Sequence, residues 1–406
     1  MSMPDDHAAA SPAFSLKPLM LAYMACTMAM MAFVAVIGPI ARQVRLAPWQ
    51  AGAVVTISGL LWMLLSRPWG MASDRHGRRR ILLTGVAGFM LSYWAMSAAT
   101  VAALRLLPPP WLVFAGLVLT RGAVGAFYAA IPTASQALVA DHLPPERRAG
   151  VLASLGAANG AGLVLGPAAA AALTPLGLAV PLYATAALPL LALLLLWRTL
   201  PRGQRAAPSA AAGLRLGDAR LRRPMTVAFV AMFGVSIAQI TVGFFAIDRL
   251  GLAPQAAART AGLALTLVGV ALIAAQLVVR RLDWTPQRLI RVGALVAAIG
   301  FGSVMLASAS WMLVASYFVA AAGMGWVFPA FGALAANAVQ PHEQGAAAGS
   351  IGAAQGLGVV LGPLVGTLLY EAGPGVPYLL AAGLLVGVAA WHPRPRAVAA
   401  PSAGRP

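Results

Sequence analysis

"GAANGAGLVLGP" (residues 156–167) recurs 196 positions later as "GAAQGLGVVLGP" (352–363), identical at nine of twelve positions. Segments rich in Ala and Gly resemble one another by composition alone. Here, however, the Gly-Pro ending keeps its place and the flanking segments correspond as well. "ADHLPPERRAG" precedes the first copy and "AVQPHEQGAAAG" the second, which sets Glu146 and Glu343 in comparable positions. A weaker echo joins "RLAPWQAG" (45–52) to "GLAPQAAA" (251–258). These anchors keep their order and nearly keep their spacing, as in a chain made of two copies of one half.

What each half contains follows from hydropathy. The 406 residues are 60% hydrophobic and 9% charged, with a mean hydropathy of +0.82. A soluble chain is about 25% charged. A bilayer core takes about 20 apolar residues per helix. That ruler predicts spans at 18–40, 50–71, 81–103, 111–140, 150–173 and 176–197, and again at 225–247, 258–279, 288–310, 311–338, 345–369 and 375–391. The expected organisation is an N-terminal tail (1–17), a six-helix bundle (18–197), a linker (198–224), a second bundle (225–391) and a C-terminal tail (392–406). Asp5, Asp6 and the length of the first apolar run argue against a cleaved signal peptide.

Twelve spans put both termini on one side, and the basic residues say which. The terminal side and its loops carry 21 of the 28 Lys and Arg residues, and the opposite side carries five; Arg67 and Arg121 fall inside spans. Basic loops stay in the cytoplasm, so both termini are expected there, in a bacterial inner membrane. The linker "WRTLPRGQRAAPSAAAGLRLGDARLRRP" (197–224) reads as a basic segment lying along anionic headgroups.

The formal net charge of +18 does not point to nucleic acid, because the arginines cluster between apolar runs and form no basic face. Cys26 is the single cysteine, and His7, His76, His142, His342 and His392 form no pair at ligand spacing. No metal and no cofactor is therefore expected. Paired carboxylates, a nucleophile with its base and a phosphate loop are all missing from the sequence, so an enzyme is not expected either.

At this point a resemblance carries further. "GMASDRHGRRR" (70–80) resembles the signature loop between spans 2 and 3 of the major facilitator superfamily, matching at Gly70, Asp74, Arg75, Gly77, Arg78 and Arg79. "RGAVGAFYAAIP" (121–132) is similar to the superfamily's fourth-helix motif, and "GLVLGPAAAA" (162–171) to the fifth-helix motif of its exporters. The resemblance implies an all-α membrane protein with twelve transmembrane helices in two pseudo-symmetric six-helix bundles. It further implies a proton-coupled exporter of the drug-efflux branch, working by alternating access on a small organic molecule such as a drug, a siderophore or another metabolite. The expected partners are that substrate, protons and the lipid bilayer, with the chain acting as a monomer. An uptake permease or uncoupled facilitator on the same fold is the alternative.

Specific residues acquire candidate roles in this frame. Gly70 and Gly77 permit close, sharply turned backbone, and Asp74 can accept hydrogen bonds from a helix N-terminus. By the resemblance that terminus is the start of span 11, near Gln344–Gly349. Asp74, with Arg75, Arg78 and Arg79 pairing to carboxylates such as Glu146, would then latch the two halves; positive-inside anchoring is the plainer reading.

Gly162, Gly166 and Pro167, with their repeat mates Gly358, Gly362 and Pro363, let a helix pack tightly and bend. They read either as a seal across the pathway or as ordinary packing. The copies depart from the exporter pattern, with Ala170 and Ala171 in the first and Gly366 followed by Thr367 in the second.

Arg121 lies about ten residues into span 4, where burial costs at least ~2.5–3.5 kcal/mol. By the resemblance it takes part in proton coupling; snorkelling to the interface is the alternative. Span 1 holds no acid, and the carboxylates nearest membrane depth are Asp248 and Glu371, which read as proton carriers or as interfacial residues. Tyr23, Met30, Phe127, Tyr128, Asn159, Gln239 and Gln355 are candidates for a substrate cavity. Asp74→Asn is expected to leave folding intact and to slow or abolish transport; transport at the normal rate with normal expression overturns the latch.

Overall fold

Hydrocarbon offers no hydrogen bonds to a backbone, so a spanning segment must bond within itself. The computed structural model accordingly contains helices and no strand among its described residues, which are 16–142, 145–200, 218–279, 281, 284–340 and 343–391. Most of the tails and of the 198–224 linker lie outside these residues. So do the side chains of 140, 142–150, 153 and 344–346, and with them that of Glu146.

The first half holds α1 (Lys17–Gln43), α2 (Pro48–His76), α3 (Arg78–Leu106), α4 (Pro110–Tyr128), α5 (Ala130–His142), α6 (Pro145–Leu173) and α7 (Val180–Thr199). The second holds α8 (Arg222–Asp248), α9 (Pro254–Val279), α10 (Pro286–Ser303), α11 (Ser310–Ala336), α12 (Gln344–Ala372) and α13 (Val376–Ala390). Helices α4 and α5 follow one another through Ala129 and together make span 4, so span 5 is α6 and span 12 is α13. Among the described residues, eleven segments are long and apolar enough to cross a membrane, and α13, at 15 residues, is a shorter apolar helix in the twelfth place.

Local chemistry sets the helix ends. Proline opens α2, α4, α6, α9 and α10, where its missing N–H is no loss. The Gln50 side chain caps the Ala47 N–H at 2.8 Å, and Thr285 caps α10 through the Arg288 N–H at 3.3 Å. Gly77, at φ +90°, makes the whole turn between α2 and α3. The signature segment is thus almost entirely helical, with its charges on the last turn of one helix and the first turn of the next.

Leu106, Leu119, Trp111 and Trp311 are each at least 67% exposed, which suits a surface that meets lipid and not water. Inside, α1 and α8 are the most buried helices, and each is held by the glycines of its half's repeat. A Cβ on Gly162 would stand 2.6 Å from the Met24 carbonyl oxygen, and one on Gly166 2.5 Å from that of Met28. In the other half, Gly358 and Gly362 bring α12 onto α8, their Cβ positions 2.7 Å and 2.9 Å from the Phe229 and Phe233 oxygens. Helices in lipid associate through van der Waals contact, which these glycines maximise.

A buried tyrosine also ties an outer helix to each central one. Tyr93 donates to the Ala29 carbonyl at 3.0 Å, and Tyr317 to that of Ala238 at 2.7 Å. Gly166→Val is expected to cost about 1–3 kcal/mol by overpacking, read as a lower unfolding temperature in detergent. Gly156→Ala, which would meet nothing within 4 Å and removes a helix-interior glycine, should not lower that temperature.

Candidate functional site

The helix ends define two faces. Arg42 marks one, with the turns at 44–47, 107–109, 249–253 and 373–375; Asp74 marks the other, with Gly77, Leu200 and residues 218–221. The halves meet at the Arg42 face. Arg42 donates from Nη2 to Asp248 Oδ2 at 2.5 Å, joining α1 to α8. Tyr370 of α12 donates to the same oxygen at 3.0 Å, and the Arg42 guanidinium lies 5.2 Å from the centre of the Phe244 ring. A Cβ on Gly38 would come within 3.1 Å of the Gly243 backbone. Beside them the Trp49 N–H donates to Glu371 Oε1 at 3.4 Å, and Thr56 donates to the Val360 carbonyl at 3.0 Å.

The repeated motifs cross over at this face. A Cβ on Gly52, at the start of α2, would sit 2.6 Å from the Pro363 oxygen of α12; one on Gly262 of α9 would sit 2.7 Å from the Pro167 oxygen of α6. Each Gly-Pro helix therefore grips the central helix of its own half and the second helix of the other.

The Asp74 face is arranged differently. Helix α5 packs against α1, α2, α3, α4 and α6, all of its own half. Gly156, Gly160, Gly349, Gly352 and Gly356 look onto space with no atom within 4 Å of a built Cβ. Asp74, expected to meet the start of span 11 when this face closes, is exposed here and pairs with Arg78, whose Nε reaches Asp141 at 2.9 Å. Arg79 donates to the carbonyls of Trp197 at 2.7 Å and Leu200 at 3.2 Å; Arg75 is exposed. Gly70 lies near Thr133, 3.3 Å from a built Cβ. Positive charge in a first turn and negative charge in a last turn both oppose the helix dipole, and mutual pairing offsets that cost. Arg220 similarly clamps Glu343 at 2.9 and 3.0 Å, and Asp218 and Glu343 together raise its pKa above the ordinary value.

Between the faces, Arg121 is 1% exposed. Its Cζ lies 4.9 Å from the centre of the Phe33 ring, and its Nε and Nη1 have no hydrogen-bond partner. Two turns further along α4, Tyr128 and Thr27 share a hydrogen bond of 2.8 Å. Asn159 Oδ1 accepts from both, at 2.8 Å from Thr27 and 3.3 Å from Tyr128. Tyr23, Met30, Gln239 and Gln355 are half-buried. The Phe127 ring packs inside its own half, over Gly88 of α3 and 6.0 Å from Trp69 of α2.

The structure thus joins Tyr128 with Asn159 through Thr27, and sets Asp248 and Glu371 on the Arg42 face beside Arg42, Tyr370 and Trp49. Arg42 and Tyr370 carried no local signal, since their partner Asp248 is 206 and 122 residues away.

Comparison with known proteins agrees with this architecture. The family model described as Major Facilitator Superfamily matches residues 19–310 and 255–406. The class G tetracycline resistance protein of Vibrio anguillarum is 30% identical over 345 residues, spanning 80% of this chain and 81% of its own length. The class C protein of Escherichia coli is 28% identical over 341 residues, spanning 79% and 80%. Among solved structures, an inward-facing bacterial homologue of the human lysosomal transporter Spinster superposes with a TM-score of 0.70 at 17% identity, covering 92% of this chain and 93% of that one. A D-xylose-proton symporter gives 0.70 at 17%, covering 91% and 96%. At such identities the structural likeness speaks for the fold alone.

The Arg42–Asp248 pair bridges the halves, so Asp248→Asn should loosen the Arg42 face. A half-exposed pair is worth up to about 1 kcal/mol, or about fivefold in an equilibrium. In a Cys26→Ala background, Thr367→Cys at the α2–α12 contact is expected to react about fivefold faster with a thiol reagent once Asp248→Asn is added.

Proposed function

The chain belongs to the major facilitator superfamily and is a multi-pass membrane transporter, and we propose that it exports a small organic molecule across the bacterial inner membrane by proton antiport with alternating access. The observation that carries this reading is the crossed packing of the two Gly-Pro helices on the other half's α2 and α9 at the Arg42 face. Positive-inside placement makes the Asp74 face cytoplasmic. The described arrangement is then closed to the outside and parted toward the cytoplasm, the state in which an exporter loads.

Relatives named for tetracycline resistance support the direction, because removal from the cell is one way to resist an antibiotic. In this reading Tyr23, Met30, Tyr128, Asn159, Gln239 and Gln355 border the substrate space. Asp74 with Arg75, Arg78 and Arg79 acts when that face closes. Phe127 supports the wall from behind.

For coupling, Asp248 is the best placed of the three candidates. A proton taken from outside would cancel its ion pair with Arg42 and free the face it locks; Glu371 lies at the same face, and Arg121 within the first half. Inverted vesicles carrying the protein, acid inside, should accumulate tetracycline, and a protonophore should abolish the accumulation. Accumulation indifferent to the gradient would assign a facilitator, and loss of tetracycline from the vesicles an uptake permease.

A further inference from the structure

We propose that the transported molecule is an organic anion: an amphipathic acid whose carboxylate balances the charge of Arg121. The inference rests on the proposed function for the existence of a transported organic molecule, and adds that molecule's charge.

Arg121 is enclosed in the first half with its Nε and Nη1 unpartnered. Its described neighbours of complementary character are the Phe33 ring and, through space, the Tyr93 phenol, both uncharged, and such contacts offset only part of the cost of burying a charge. No described carboxylate reaches it. Asp74 and Asp141 pair with Arg78, Asp218 and Glu343 with Arg220, and Asp248 with Arg42. Glu371 accepts from the Trp49 N–H. All six stand at or beyond a helix end. Asp5, Asp6, Asp283 and the Glu146 side chain lie outside the described residues, and Glu146 is the second residue of α6.

The fold does not require a cation here. Gly125 packs α4 onto Ser58 of α2, and Gly325 packs α11 onto Ala275 of α9 in the equivalent place of the second half. Four residues earlier α4 has Arg121, whereas α11 has Ala321, which is also buried. One half therefore carries an uncompensated charge that its counterpart does without.

Asn159, which the proposed function sets at the border of the substrate space, adds donors, not acceptors. Asn159 Oδ1 is occupied by Thr27 and Tyr128, which leaves the two N–H bonds of its amide to bind a ligand. An unbalanced charge in a low-dielectric interior acts over long range, so the substrate space of the proposed function disfavours cations and concentrates anions.

The test compares 2-naphthoate with its neutral counterpart 2-naphthamide, measured as protein-dependent binding to the full chain in lipid vesicles. The acid is expected to bind about tenfold more tightly than the amide, the gain of a charge-assisted contact. Arg121→Lys should keep that ratio. Arg121→Met, which deletes the charge, and Phe33→Glu, which supplies an internal counter-ion, should each bring the ratio near one. Equal binding of the two probes, no binding of the acid at millimolar concentration, or a ratio surviving both Arg121→Met and Phe33→Glu would overturn the inference. The wild-type ratio decides the matter if those variants fail to fold. Loss of gradient-driven tetracycline movement with the acid preference intact would remove the export reading and leave this one standing.

Discussion

The absence of hydrogen-bond partners in lipid hydrocarbon governs this molecule. It forces every crossing into a helix, and it removes the solvent-driven attraction between those helices, leaving close contact to hold them. The repeat glycines answer that need. Gly162 and Gly166 set α6 on α1, and Gly358 and Gly362 set α12 on α8, with backbone oxygens at distances that no side chain would permit. The same constraint makes Arg121 conspicuous, because a guanidinium with free nitrogens is the costliest group to leave in such a medium.

Close packing also links architecture to pathway. Pro167 and Pro363 each present a carbonyl to the opposite half, at Gly262 and Gly52. A helix that grips its own central helix and its neighbour's second helix cannot shift without disturbing both. Around these contacts the Arg42–Asp248 pair, Tyr370 and the Trp49–Glu371 bond complete one closed face. On the opposite face the described Asp74–Arg78–Asp141 cluster lies within the first half.

Much of this was legible in the residues. Hydropathy located the spans because a bilayer imposes a minimum apolar length. The Gly-Pro repeat announced the duplication, and the faint "LAP" echo marked the helices that those segments meet across the halves. Other features were hidden. Tyr128, Thr27 and Asn159 come from three helices, and nothing near Thr27 in the chain announces that its hydroxyl bonds both of the others. Arg42 looked like one outer basic residue among five until α8 brought Asp248 beside it. Phe127 had the character of a cavity residue, yet its ring packs on Gly88.

The sequence by itself determined the helical membrane class, the two matching halves and the family, because length, hydropathy and small-residue spacing are local and answer directly to the bilayer. Only the tertiary structure decided which face is closed, which carboxylates are paired and that Arg121 has no counter-ion among the described residues. Those properties depend on distances between side chains far apart in the chain.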